Sequence, residues 1–215
     1  METGLIKRLV QIGDAWRAHV VHVPEGYDDQ EEWPLILYLH SSGERGSDLR
    51  HTFAGLGLAL RRHPERWPCL VVMPQCPEEI WWTDDPRHFE LPFARALEEY
   101  RVDRRRIYLT GISMGGYATW LHGAKNADTF AALLPICGGG DPEDYPALCT
   151  LPIWAFHGSE DDGVPPEESR RMWDMVREAG GDIQYTEYAG VGHECWDITY
   201  DDPAVIEWLL AQRRR

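Results

Sequence analysis

The stretch RIYLTGISMGGYATWLHGAKN (Arg106–Asn126) decides the fold. An apolar, β-prone run from Arg106 to Gly111 meets Ser113, bracketed by Gly111 and Gly115, and a helix-compatible segment follows at once. Gly-x-Ser-x-Gly between a strand and a helix is a turn that lifts the serine hydroxyl clear of the backbone. The turn forces Ser113 into a strained conformation. The two glycines leave room for strand and helix to approach, and the helix N-terminus lies under any developing oxyanion. Glycine and serine frequencies alone would supply only about 0.05 copies of this pattern in a chain of this length. The plain alternative is a strand–helix turn with a capping serine.

On either side, apolar β-rich runs alternate with helical stretches. AHVVHV (18–23), PLILYLH (34–40), CLVVMP (69–74), AALLPIC (131–137), PIWAFHG (152–158) and IQYTEY (183–188) read as strands beside RIYLTG (106–111). Several are continuously apolar, as strands buried on both faces are. The helical candidates are 53–63, 88–101 with Pro92 expected in the first turn, 113–126, 166–180 and 202–215. Alternating strands and helices predict an α/β fold, with a mostly parallel central sheet, helices on both faces and an antiparallel edge from the opening strands. Sites in such sheets gather at the carboxyl ends of the strands.

The chain has 215 residues, which suits one domain spanning 1–215. A net charge of −15 repels phosphates, so no nucleic-acid partner is expected. No apolar run approaches the roughly 20 residues of a membrane span, and the opening METGLIKRLVQIGD lacks a signal-peptide core; a cytoplasmic location and no membrane partner are expected. The closing Arg213–Arg215 run reads as a solvated helix end complementing the helix dipole. Five cysteines (Cys69, Cys76, Cys137, Cys149, Cys195), odd in number and without a CxxC pair, read as reduced, largely buried thiols rather than a zinc site.

A serine hydroxyl becomes a nucleophile only when a base takes its proton, and this kind of fold places an acid and then a histidine downstream. FHGSEDDGVP (156–165) supplies Asp161 and Asp162, with Glu160 a weaker third, just after a strand. AGVGHECWD (189–197) supplies His193 between the last strand and the last helix. His122 lies along the helix after Ser113, and His157 precedes the acids and reads as a buried turn histidine. His19 and His22 sit in an early strand, and His51, His63 and His88 in or near helices. The oxyanion calls for two donors. One is the backbone N–H of Met114; the other comes from HSSGERGSD (40–48), with Ser42 first and Gly43 next.

These pieces together resemble the α/β-hydrolase superfamily. More narrowly they are similar to the phospholipase/carboxylesterase group of small serine esterases and to related bacterial predicted peptidases and polymer-esterase-like proteins. The motifs are LHSSGERGSD, VVMPQCPEEIWW, GISMGGYATW, HGSEDDGVPPEES, GVGHECWDITY and WLLAQRR, spread from about residue 34 to the end. The resemblance implies an α/β-hydrolase fold, Ser113 as nucleophile, His193 as base, and Asp161 as the acid of HGxxDxxVP, with Val164 and Pro165 completing that pattern. It puts the oxyanion donors on Ser42 and Met114. Such proteins usually read His-Gly after this strand; here Ser41 replaces the glycine, and would carry strain if φ is positive there. Dienelactone hydrolases share the fold but use cysteine at the elbow, where this chain has serine.

The reaction implied is two-step acyl transfer to water on a small-molecule ester, without metal or cofactor. With little room for a lid domain, the pocket is expected to be open. Trp81 and Trp82 are candidates for its apolar wall, against plain packing under a loop. Trp196 either braces His193 or packs in the core. Short to medium acyl esters come first and feruloyl-like esters second. Thioester or peptide cleavage by the same residues is the rival enzymatic reading, and a catalytically silent binding module the rival of another class. A monomer or homodimer is expected.

Overall fold

Strands buried on both faces need apolar side chains at every position, and the central runs of this chain have them. In the computed structural model, which describes residues 1–141 and 145–214, Leu35, Leu37 and Leu39 enter one hydrophobic cluster while Ile36 and Tyr38 enter another. Leu70 and Val72 alternate with Val71 and Met73 in the same way. Successive strand side chains point to opposite faces, so each run feeds two cores.

Eight strands form one sheet: β1 (Gly4–Ile12), β2 (Ala15–Val23), β3 (Trp33–Leu39), β4 (Leu70–Pro74), β5 (Val102–Ile112), β6 (Ala132–Ile136), β7 (Ile153–Gly158) and β8 (Ile183–Tyr188). Their order is β1-β2-β4-β3-β5-β6-β7-β8. β1 and β2 pair antiparallel, β2 joins β4 antiparallel, and every later pairing is parallel. This is the α/β-hydrolase fold, with the expected antiparallel edge. β1 went unread as a strand because its alternation is interrupted by charge: Lys7 is exposed and Arg8 half-buried on a half-solvated edge.

Helices cover both faces. α1 (Gly55–Arg62), α6 (Trp196–Asp201) and α7 (Pro203–Ala211) contribute Leu56, Leu60, Tyr200, Val205 and Leu209 to one cluster. α2 (Arg87–Glu99), α3 (Met114–Lys125) and α5 (Glu167–Glu178) contribute Phe89, Ala118, Trp120, Met172 and Val176 to the other. A short α4 (Tyr145–Leu148) lies between β6 and β7. Among the described residues no extra domain interrupts the sheet, and no helix is long and apolar enough to cross a membrane.

Two local expectations need correction. Pro92 lies inside α2, five residues after its first residue, so it falls in the second turn rather than the first. α7 ends at Ala211 rather than running on through the arginines: Gln212 is extended, Arg214 N–H donates to Arg105 O, and Arg213 pairs with Asp103 at 3.3 Å. The backbone and charges of β5's first residues thus capture the tail that helix propensity would have continued; Arg215 lies outside the described residues.

Candidate active site

The turn between β5 and α3 is fixed by backbone bonds on both sides. Ser113 N–H donates to Ile136 O of β6 at 2.9 Å, and Ser113 O accepts Tyr117 N–H at 3.0 Å, the first bond of α3. Between them Ser113 sits at φ 52°, ψ −114°. Such a conformation is costly for a residue with a Cβ, and persists only where the surroundings over-determine it. Here they do: Cβ atoms on Gly111, Gly115 or Gly116 would each collide with backbone of the neighbouring strands or turn.

The acid and base loops are stitched together next. Ser159 N–H donates to Tyr188 O and Glu160 N–H to Val191 O, so the turn after β7 lies along the loop after β8. Gly158 permits this, because a Cβ there would strike the carbonyls of Val191 and Gly192. His193 Nε2 then lies 2.9 Å from Ser113 Oγ, and His193 Nδ1 lies 2.6 Å from Asp161 Oδ2. With Nδ1–H donating to the carboxylate, Nε2 presents its lone pair to the serine hydroxyl. Residues from three strand ends, 80 positions apart at the widest, meet in one relay.

Asp161 is the acid that reaches; Asp162 is exposed. Burial would raise the Asp161 pKa, but the bonds from His193 and from the Val164 and Gly163 N–H groups outweigh it and hold the carboxyl below its usual value. It stays a carboxylate at neutral pH, able to stabilise an imidazolium. Trp196 packs edge-on to His193, ring centroids 5.3 Å apart. Cys137 Sγ lies 3.1 Å from both His193 O and Cys195 Sγ, backing the same loop.

Met114 opens α3 and Ser42 opens a short 3₁₀ turn, Ser42–Glu44, so neither N–H has an acceptor within its own helix. β3 and β5 are neighbours with Leu39 opposite Gly111, so Ser42 and Met114 each stand three residues beyond a paired position, on adjacent parallel strands. Ser41 is at φ −72°, ψ 170°, ordinary extended backbone. The strain foreseen for a serine replacing glycine does not arise.

Trp82 and Trp81 part company. Trp82 is fully buried and its indole N–H donates to His40 O at 2.9 Å, which makes it a brace under the loop rather than a wall open to a ligand. Trp81 is 48% exposed, with the Arg45 guanidinium 5.3 Å from its ring centre. Arg45 in turn donates to Ser42 O and Ile80 O, so this aromatic surface adjoins the 42–44 turn.

Sequence reading passed over His40. Its ring is wholly buried; Nε2 accepts Cys76 N–H at 2.9 Å and Nδ1 lies 2.6 Å from Ser41 O. Those partners require the Nδ1–H tautomer, and burial lowers its pKa to about 3, so it is neutral. His40 ties the loop after β3 to the loop after β4. Its place at the end of β3, beside the donor loop, was the one available signal. His122 is likewise buried and bonded to Trp82 O. Among the described residues Cys137, His157 and Asp161 offer three ligand atoms within 4.8 Å of one another. Their atoms already serve His193, Cys195 and Ser169. The cysteines are free thiols, four buried and Cys149 half-buried.

With this geometry in view, comparison with known proteins gives four matches. The model of the dienelactone hydrolase family matches residues 87–198, just over half of the chain. A solved thermostable esterase is 34% identical, covering 98% of this chain and 63% of its own, with a TM-score of 0.85. The feruloyl esterase module of Clostridium thermocellum complexed with sinapinate shares the fold at 17% identity, a TM-score of 0.71, and 98% and 90% coverage. A bifunctional acetylxylan esterase/xylanase of Neocallimastix patriciarum is 37% identical over 84 residues, 39% of this chain and 12% of that protein. The chain spans well under half the length of the curated relatives it matches. The superfamily inferred from the motifs is the one found, and serine at position 113 does not set the chain apart from the family whose model it matches.

Proposed function

The chain belongs to the dienelactone hydrolase family, and we propose that it is a serine carboxylic ester hydrolase that works through an acyl-enzyme. The observation that carries this reading is the relay Ser113–His193–Asp161, with bonds of 2.9 and 2.6 Å and the serine on a strained elbow. Ser113 Oγ attacks the ester carbonyl as His193 Nε2 takes its proton. Asp161 fixes the imidazole tautomer and stabilises the imidazolium. The Met114 and Ser42 N–H groups receive the oxyanion. His193 then protonates the departing alcohol, and water activated by the same nitrogen releases the acid. One sheet running from residue 4 to 188 supports reading the chain as a single domain.

For the acyl group, short to medium chains come first, and aromatic acyl groups second. Exposed Trp81 beside the donor loop favours the aromatic option, and the resemblance to small carboxylesterases favours the aliphatic one. The test is initial rates on p-nitrophenyl acetate, butyrate and octanoate and on a feruloyl ester, wild type beside Ser113→Ala. Activity present in the wild type and lost in the variant supports the serine esterase. Equal activity in both would mean that another group attacks.

A further inference from the structure

The Asp161 carboxylate faces two imidazoles, and only one of them belongs to the relay. His157, the histidine of β7, is fully buried. Its Nε2 lies 3.0 Å from Asp161 Oδ2 and 3.0 Å from Val164 O. Both neighbours are acceptors, so Nε2 must carry the proton. On the other side of the ring, Nδ1 lies 2.7 Å from Ser169 Oγ, which is also 2.8 Å from Gly138 O. Ser169 is itself buried on α5, so the hydroxyl holds the ring from behind.

We propose that His157 is a positioning residue for Asp161: its Nε2–H, anchored on Val164 O and set 3.0 Å from Oδ2, holds the carboxylate in the charge state that His193 requires. This rests on the relay reading above. The carboxylate then has a partner on every side. Oδ1 accepts the Gly163 and Val164 N–H groups, while Oδ2 accepts from His193 Nδ1 at 2.6 Å and stands 3.0 Å from His157 Nε2, whose own hydrogen bond runs to Val164 O. A carboxylate so held cannot rotate, and part of the charge on Oδ2 is drawn away from His193. The other titratable groups facing Asp161 are Cys137 from the end of β6 and Tyr117 from α3. Glu187 of β8 lies opposite His157 in the sheet and is closed by Arg170 of α5.

Two substitutions separate this role from simple packing. A glutamine amide nitrogen is as many bonds from the backbone as Nε2, and an asparagine amide nitrogen as many as Nδ1. His157→Gln therefore keeps a donor for Asp161, whereas His157→Asn keeps only the group that faces Ser169. We expect His157→Gln to retain kcat within about 3-fold. His157→Asn should lose about 10-fold to 100-fold in kcat at little change in KM, the scale seen when partners behind a ligating histidine are removed. Losing the donor leaves more charge on Oδ2 facing His193, so the imidazolium holds its proton more tightly. The acidic limb of kcat/KM should move to higher pH by about 0.5–1 unit in His157→Asn, and stay in place in His157→Gln.

The downfield ¹H resonance of His193 Nδ1–H reads the same bond without turnover. It should shift in His157→Asn and hold in His157→Gln, provided both unfold cooperatively on heating. Matching kinetics and resonances in the two variants, or the reverse ranking, would overturn the proposal. A wild type without Ser113-dependent activity would sink the esterase reading instead, and the resonance would still decide the role of His157.

Discussion

The Leu39 carbonyl occupies the space into which a Cβ on Gly115 would project. Helix α3 therefore starts in direct backbone contact with the end of β3, and the atoms in the way cannot yield as a flexible side chain would. Gly115→Ala should push the elbow away from the donor loop. We expect a loss of about 3 kcal/mol or more in unfolding free energy, from backbone overpacking. Chemical denaturation read by tryptophan fluorescence measures it; a loss below about 1 kcal/mol would show that the contact is soft.

Ser113 is held at φ 52°, and its replacement separates strain from chemistry. Ser113→Gly and Ser113→Ala both remove the hydroxyl. In the interior of a helix glycine would be the less stable of the two, by about 0.5–1 kcal/mol of backbone entropy. Here the order should reverse, with Ser113→Gly more stable by about 1 kcal/mol, because a helix N-cap already favours glycine over alanine and only glycine is relaxed at this φ. Paired thermal melts decide the sign.

Adjacent acids make a further comparison. Asp161 is buried on His193, and Asp162 is exposed. Asp161→Asn should lower kcat by about 100-fold or more, since an amide can no longer stabilise the imidazolium and can favour the wrong tautomer. Asp162→Asn should stay within about 2-fold. The opposite ranking would reassign the acid.

Five of the buried histidines make the fold acid-sensitive. Burial lowers His19, His22, His51 and His122 to about 4 and His40 to about 3. Unfolded, each takes up a proton below its ordinary value of 6.5; folded, it stays neutral until about 4. Between those limits the unfolded chain binds more protons, so stability falls as pH falls. Thermal midpoints should therefore drop steadily from pH 7 to pH 4.5, before most carboxylates titrate. A flat midpoint from pH 7 to pH 5 would contradict the burial of these rings.

Much of this was legible along the chain. Continuous apolar runs such as Leu35–Leu39 announce strands covered on both sides, and Ser113 between glycines announces an elbow. The helix carrying Pro92 was legible to within one residue of its start; begun at Arg87, behind Pro86, it carries the proline just past its first turn. The end of α7 was not legible, because Arg213 and Arg214 are captured by the start of β5, some hundred positions away in sequence. Trp81 and Trp82 are identical and adjacent, so nothing local separates the exposed ring from the one locked beneath His40.

The sequence by itself determined which residues could do chemistry: a serine on a glycine turn, acids after β7 and a histidine after β8, in an order set by strand succession. Those are local facts, since turn geometry and strand patterning depend on near neighbours. Only the tertiary structure decided which of these groups touch. The contact of Asp161 with His193, the relaxed backbone of Ser41, the neutral tether of His40 and the second imidazole beside Asp161 all follow from contacts between segments that the sheet aligns. Hydrogen bonds of this kind depend on distances of a few tenths of an ångström between distant parts of the chain, and packing sets those distances.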